Sequence, residues 1–214
     1  MTTLEQSKPA DEARDSVLRS GSVSSCNDLL HGNFKTVVAD PPWTYTFETR
    51  KTEVAGTGWR GAPQNHYSTM KFDDIAAMPI GDIAAPDATL WLWVVNPMLA
   101  KGIELVTRWG FQYRSLLTWA KVTKDGNPAI GMGYWMRGST EHLMLATRGK
   151  VQPKSKSQPT WFKAGVGEHS AKPDQSYAII EKFSDGPYLE LFARRKRDGW
   201  TTWGNETSGD LFAV

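Results

Sequence analysis

The residues best suited to chemistry are Asp40, Pro41, Pro42 and Trp43. They follow Thr36-Val37-Val38-Ala39, small and β-branched residues that read as the end of a buried strand. Prolines cannot continue a ladder, so the strand must stop at Asp40. One carboxylate then stands at the carboxyl end of a core strand, where open α/β sheets bind ligands. The prolines hold the next backbone extended and leave the Pro41 carbonyl with no helix or sheet partner in prospect. Trp43 adds a flat apolar face. An acceptor carboxylate, an idle carbonyl and an aromatic plate suit an amino group on a flat heterocycle. A plain strand terminus with a core indole is the competing reading of the same residues.

Other polar residues fall at predicted strand ends. Asn96 follows one strand, and Arg194-Arg195-Lys196-Arg197 follow another. Such gathering marks a ligand-binding rim, although a run of four bases is also what a solvated strand end looks like. The segment from His142 to Gly167 contains no acid, but carries Arg148, Lys150, Lys154, Lys156 and Lys163 with Trp161 and Phe162 among them. It reads as a loop. Basic residues interleaved with aromatics suit a nucleic-acid backbone and unstacked bases; a solvated loop is the alternative.

The elements that must position these residues alternate. Strands are expected at Lys35 to Asp40, Thr89 to Val95, Tyr113 to Val122, Glu141 to Thr147, Tyr188 to Ala193 and Trp200 to Trp203. The run Thr89-Leu90-Trp91-Leu92-Trp93-Val94-Val95 is apolar throughout, as in a strand buried on both faces. A short helix fits Phe72 to Met78. A second runs from Pro97 to Gly110, with Leu99, Ile103 and Val106 on one stripe. A third opens at Pro173, with Ser176, Ile179 and Phe183 on one stripe and Tyr177 and Ile180 beside it. Strands alternating with helices predict a mostly parallel sheet with helices on both faces. Thr44 to Asn65 has no strong period, as in a lid or a disordered segment. Residues 1–20 read as a flexible arm, 21–207 as the domain and 208–214 as a tail.

Composition narrows the field. The chain has 214 residues and a net charge of +2, so any basic footprint must be local. Cys26 is the only cysteine, which excludes an intrachain disulfide. The histidines show no ligand spacing, so no metal is expected. No signal peptide or membrane-spanning run is present, which points to a cytoplasmic setting without membrane contact. GxGxxG and the P-loop are absent, which argues against a standard dinucleotide or NTP site.

Asp40-Pro41-Pro42-Trp43 resembles the DPPW signature of the MT-A70 family of adenine-N6 methyltransferases. The likeness runs from about Gly21 to Glu206. It continues through Tyr67-Ser68-Thr69-Met70, Trp91-Leu92-Trp93-Val94, Trp109-Gly110-Phe111 and Trp119-Ala120-Lys121. Trp135 follows, with Glu141-His142, His169 to Asp174, Glu190-Leu191-Phe192-Ala193-Arg194 and Trp203-Gly204-Asn205-Glu206.

The resemblance implies an α/β, Rossmann-like class I fold using S-adenosylmethionine. It implies that Asp40 and the Pro41 carbonyl accept hydrogen bonds from the adenine amine, and that Trp43 and Tyr67 wall a flipped base. Glu141 and Ser170 match acceptor-pocket positions, and Lys172 lies between the two substrates. Asp40, Ser22, Val23, Arg194, Lys196, Arg197, Asn205 and Glu206 match cofactor-binding positions. Ser22 stands where an acid is usual. Lys196 and Arg197 stand where the eukaryotic enzyme has His-Asn, and the loop from Thr44 to His66 is longer than in that enzyme.

The expected chemistry needs neither metal nor covalent intermediate. The adenine amine is a poor nucleophile because its lone pair is delocalised into the ring. Two acceptors outside the ring plane favour a pyramidal nitrogen, and the site must align it and stabilise growing positive charge. DNA is the expected substrate, bound through Lys150, Lys154, Lys156 and Lys163, with a monomer or homodimer doing the work. RNA adenosine is the alternative substrate. A catalytically silent nucleic-acid-binding subunit is a third reading, disfavoured by the intact Asp40.

Overall fold

The computed structural model describes residues 29, 32–44, 69–133, 135–167 and 171–204. Ser22, Val23, Tyr67, Ser170, Asn205 and Glu206 lie outside the described residues, as do the expected arm, the tail and most of the loop after Trp43.

Seven strands form one sheet: β1 (Phe34–Ala39), β2 (Ala84–Val94), β3 (Gln112–Val122), β4 (Thr140–Arg148), β5 (Trp161–Gly165), β6 (Tyr188–Leu191) and β7 (Trp200–Trp203). Their order is β5-β3-β4-β2-β1-β6-β7. Pairings β1–β2, β1–β6, β6–β7 and β3–β5 are parallel, and β4 alone runs against its neighbours β2 and β3. The expected mostly parallel sheet is thus present, with one reversed strand.

Helices cover both faces. One core gathers Val37, Ala39, Leu90, Leu92 and Val94 against α1 (Phe72–Ala76), α2 (Ile80–Ile83) and α3 (Leu99–Arg108), through Ile75, Ile80, Ile83, Leu105 and Val106. The other gathers Val38, Trp91, Trp93, Trp119 and Leu143 against α4 (Asp174–Phe183), through Tyr177, Ile179 and Ile180. Alternate residues of β1 and β2 point to opposite cores, as the two-residue period of a strand requires. Trp93 and Trp119 meet edge to face at 6.2 Å, a geometry worth about 0.5–1.5 kcal/mol beyond burial.

Three elements depart from expectation. The contact face of α3 centres on Gly102, Leu105 and Val106, while Ile103 is 47% exposed. A side chain at Gly102 would place its Cβ 2.7 Å from Val94 Cγ1, so the helix seats on β2 through the missing side chain. Secondly, β2 starts at Ala84 and carries Pro86 in an exposed stretch where its register with β1 shifts, a place that tolerates proline. Thirdly, β5 lies inside the segment expected to be a loop. Only Phe162 of Trp161–Gly165 is buried, an alternation too short to outweigh the surrounding Pro, Ser and Lys.

The site edge is tied down at the end of β6. Phe192 takes φ 62° and turns the chain, and Ala193 N donates to Trp203 O at 3.0 Å. At Gly204 a Cβ would lie 2.2 Å from Ala193 O and 2.4 Å from Ala193 N. Gly204→Ala must push these backbones apart and is expected to cost about 1–3 kcal/mol. Chemical denaturation checks this; unchanged stability would show that the close approach is not needed.

Candidate active site

The strand directions bring Asp40, Asn96, Glu141 and the segment after β6 to one edge of the sheet. Chain direction from β1 to β2 leads one way across the sheet, and from β6 to β7 the other. The β1–β6 boundary is therefore a switch point, where ligands of open α/β sheets bind.

Asp40 opens the edge. Pro41 O accepts the Trp43 N–H at 2.8 Å, so this carbonyl has a turn partner, contrary to the expected idle acceptor. A carbonyl oxygen has two lone pairs, and one remains for a ligand. Pro42 O accepts the Met70 N–H at 2.9 Å, which holds the motif against a neighbouring segment. Trp43 is 6% exposed and donates Nε1–H to Trp93 O at 3.2 Å. It is a packed support here, not the open plate anticipated.

Lys172 joins residues distant in sequence. Its Nζ lies 2.8 Å from Asp40 Oδ2, 3.2 Å from Glu141 Oε2 and 5.2 Å from the Trp93 ring centroid. Lys121 Nζ takes the other Glu141 oxygen at 2.5 Å and lies 4.9 Å from the Trp119 ring centroid. The result is an alternating chain Asp40–Lys172–Glu141–Lys121. Burial pushes the Lys172 pKa down, but Asp40 and Glu141 outweigh it and lift it above the ordinary lysine value. Burial likewise opposes the charge on Glu141, and Lys172 and Lys121 overcome it and hold the carboxyl below its ordinary range.

Behind Glu141, His142 is buried between Thr118 Oγ1, 3.1 Å from Nδ1, and Asn96 Oδ1, 2.9 Å from Nε2. Asn96 Nδ2 donates to Thr140 Oγ1 at 3.2 Å, which turns its oxygen toward the histidine. Nε2 then donates and Nδ1 accepts, the neutral tautomer. Burial pushes the His142 pKa down, against the pull of Glu141.

A second cluster stands at the end of β6. Tyr177 OH donates to Glu190 Oε1 at 2.6 Å, and the Arg197 guanidinium lies 3.6 Å from the Tyr177 ring centroid. Asp174 holds both Arg195 and Arg197, the latter at 2.7 Å. Burial pushes the Glu190 carboxyl up, against the Tyr177 hydrogen bond and the Arg197 charge. Burial and Glu190 push Tyr177 up also. Two buried atoms in this cluster have no partner among the described residues: Glu190 Oε2, an acceptor, and Arg197 Nε, a donor. Such orphans are costly unless a ligand or water meets them. An acceptor and a donor at the switch point match a ligand bearing both donor and acceptor groups, as S-adenosylmethionine does with its ammonium, carboxylate and ribose hydroxyls.

The expected site residues divide. Asp40, Glu141 and Lys172 are brought into contact, and Arg194, Lys196 and Arg197 follow β6 at the same edge. Lys163 lies on edge strand β5, opposite Ala120, with Nζ 5.8 Å from the Trp161 ring centroid. Lys156 is exposed. The structure does not bring Lys150 and Lys154 to this edge. Lys150 N–H donates to Asp87 Oδ1 at 2.7 Å, and Lys154 Nζ lies 3.0 Å from Asp185 Oδ1, both beside strand starts at the opposite edge. The reason is that β4 runs backwards and delivers the following chain to the far side. Glu190, Tyr177 and Asp174 are named in the sequence only within matching blocks or a helix stripe, with no role at the site. An acid inside the apolar strand Tyr-Leu-Glu-Leu was the available signal.

This fold and edge define a Rossmann-like methyltransferase domain. The chain belongs to the MT-A70 family, whose model matches residues 34–206. It is 28% identical over 194 residues to the type II methyltransferase M.MunI of Mycoplasma sp, covering 83% of this chain and 79% of that protein. It is 27% identical over 188 residues to the human N(6)-adenosine-methyltransferase catalytic subunit METTL3, covering 83% of this chain and 29% of that protein. With an Arabidopsis thaliana N(6)-adenosine-methyltransferase MT-A70-like protein it shares 28% identity over 191 residues, 85% of this chain and 25% of the relative. The chain thus spans less than a third of the plant and human relatives and most of the Mycoplasma one. Among the described residues no metal-binding group occurs, and no helix is long and apolar enough to cross a membrane.

Proposed function

We propose that this chain transfers a methyl group from S-adenosylmethionine to the N6 amine of adenine in DNA. The observation that carries the reading is the Asp40 carboxylate at the end of β1, pinned through one oxygen by Lys172, whose side chain is 10% exposed. Its other oxygen and the second lone pair of Pro41 O accept from the amine. Together they favour the pyramidal nitrogen that attack requires. Lys172 fixes the carboxylate's orientation, and Glu141, braced by Lys121, fixes Lys172. When bound, S-adenosylmethionine supplies a methyl already activated on sulfonium. Asp40 stabilises the positive charge that grows on nitrogen, with proton loss after transfer.

Glu190 Oε2 and Arg197 Nε would hold the cofactor's donor and acceptor groups, joined by Arg194 and Lys196 on the same segment. By family likeness, Ser22, Val23, Asn205 and Glu206 complete the cofactor's holders, and Tyr67 and Ser170 line the place of an adenine flipped from its stack. DNA is favoured because the chain covers 79% of the type II methyltransferase M.MunI, against 60% of the N6-methyladenosine RNA methyltransferase MTA1 of Cryphonectria parasitica. Incubation of the protein and cofactor with DNA and RNA together, followed by nucleoside mass analysis, tests the substrate. N6-methyl-2′-deoxyadenosine is expected; N6-methyladenosine alone would assign the activity to RNA.

Glu190 gives a separate expectation. Its folded pKa lies above the ordinary 4.5. Stability is thus greatest below that value and declines as pH rises toward the folded pKa. Glu190→Gln removes this decline and should be more stable than wild type at neutral pH. It should also bind S-adenosylmethionine roughly tenfold more weakly, about 1.5 kcal/mol for one charge-assisted hydrogen bond. Calorimetry and thermal unfolding read the two effects; unchanged affinity removes Glu190 from the cofactor site.

A further inference from the structure

The connection from β3 to β4 is longer than a turn needs. Its described residues, 123–133 and 135–139, run out as an arm that folds back on itself. Lys121 O accepts the Ala129 N–H at 2.9 Å, Lys121 N–H reaches Ser139 O at 2.9 Å, and Gly131 N–H reaches Gly138 O at 2.6 Å. At the tip the two sides approach so closely that a Cβ on Gly133 would lie 1.8 Å from Met136 O. The chain therefore builds this tip, and it uses the tip to expose apolar side chains. Trp135 is 92% exposed and Met136 86%, with Ile130 and Met132 also open along the arm. Exposed large side chains grouped in this way mark an interaction surface.

Position and charge identify the partner. The arm is rooted on Lys121 and Glu141, members of the charged chain at Asp40, so it stands beside the reacting edge. Glu141 is the only acid from Gly126 to Gly167, and Arg137 sits at the tip. A partner for this surface has a repeating negative charge with flat apolar faces between the charges. Stacked nucleotides meet that description.

We infer that the arm is a wedge: Trp135, backed by Met136, enters the base stack beside the target adenine and occupies the space left when that adenine swings out to Asp40. Apolar wedges that unstack a base step are a known way to lower the cost of extruding a base. Arg137 meets the adjoining phosphate. This inference rests on the proposed adenine methylation.

The test compares Trp135→Ala and Trp135→Phe with wild type on one DNA, double-stranded and heat-denatured, with calorimetry of the cofactor alongside. A wedge matters only where a stack must be opened. Trp135→Ala should lose at least about tenfold in rate on the duplex and less than about twofold on the denatured strand. Trp135→Phe should restore most of the duplex rate, and cofactor affinity should not move. Because the readout is a ratio of two rates from one preparation, loss of folded protein cancels. Equal losses on both forms, or none, overturn the wedge. Equal losses together with conversion of a wild-type dimer to monomer by sedimentation would assign the tip to a protein interface instead. Failure of wild type to methylate either form overturns the functional reading, and the wedge with it.

Discussion

Replacing Asp40 by alanine is expected to abolish methyl transfer and leave a folded protein. Lys172 keeps Glu141 as a partner at 3.2 Å, so its charge is not abandoned in the interior. The reacting nitrogen, however, loses its charged acceptor. Removing one placed group that stabilises developing charge costs about 2.7–4 kcal/mol, or roughly 10²–10³ in rate. Asp40→Asn keeps an acceptor oxygen but loses the pairing that orients it, and should fall between. Single-turnover rates with saturating cofactor, on preparations of matched unfolding temperature, check the order. Near-native turnover in folded Asp40→Ala would remove the carboxylate from the mechanism.

The second large effect belongs to Lys172. Lys172→Met keeps the length of the side chain and removes the ammonium. Asp40 and Glu141 then lose the ammonium they share, with their own side chains 22% and 13% exposed. Breaking a largely buried pair in this way costs up to about 3–5 kcal/mol. In a domain of this size that lowers the unfolding temperature by roughly 6–20 °C. The pH dependence follows from the two shifted groups. Glu141, with a folded pKa below 4.5, contributes stability above that value and loses it as pH falls through the folded pKa. Lys172, with a folded pKa above 10.5, contributes below that value and loses it as pH rises through its folded pKa. The variant's deficit should therefore be full near neutrality and narrow toward acid, where protonation of Glu141 removes its uncompensated charge. A deficit independent of pH, or none, would mean that the charged chain does not hold the site together.

Much of the frame was legible in the chain. Val37-Val38 before two prolines, and the unbroken apolar run through Trp91 and Trp93, announce strands buried on both faces, and they lie side by side in the sheet. The contact between Lys172 and Asp40 was not legible, because it depends on the order of strands and not on any local period. The same holds for Lys150 and Lys154: composition joins them to Lys163, but the reversed β4 carries them to the other edge. Ile103 fits a helical stripe by spacing, yet the helix rests on Gly102, since close approach depends on an absent side chain that hydrophobic periodicity does not count. Glu190 was hidden in the opposite way. It sits among apolar strand neighbours with no local pattern to single it out, and its buried, unpaired Oε2 is what marks it as a ligand-binding candidate.

In the proposed reaction the carboxylate at the end of β1 directs methyl transfer to the adenine amine. Its most direct test is mass analysis of nucleosides from DNA incubated with S-adenosylmethionine carrying a deuterated methyl group, wild type beside Asp40→Ala. Wild type should place the label on N6 of deoxyadenosine, and the variant should lose roughly 10²-fold or more of it. Label on cytosine, on a ring nitrogen of adenine, or in equal amount with both proteins would contradict it.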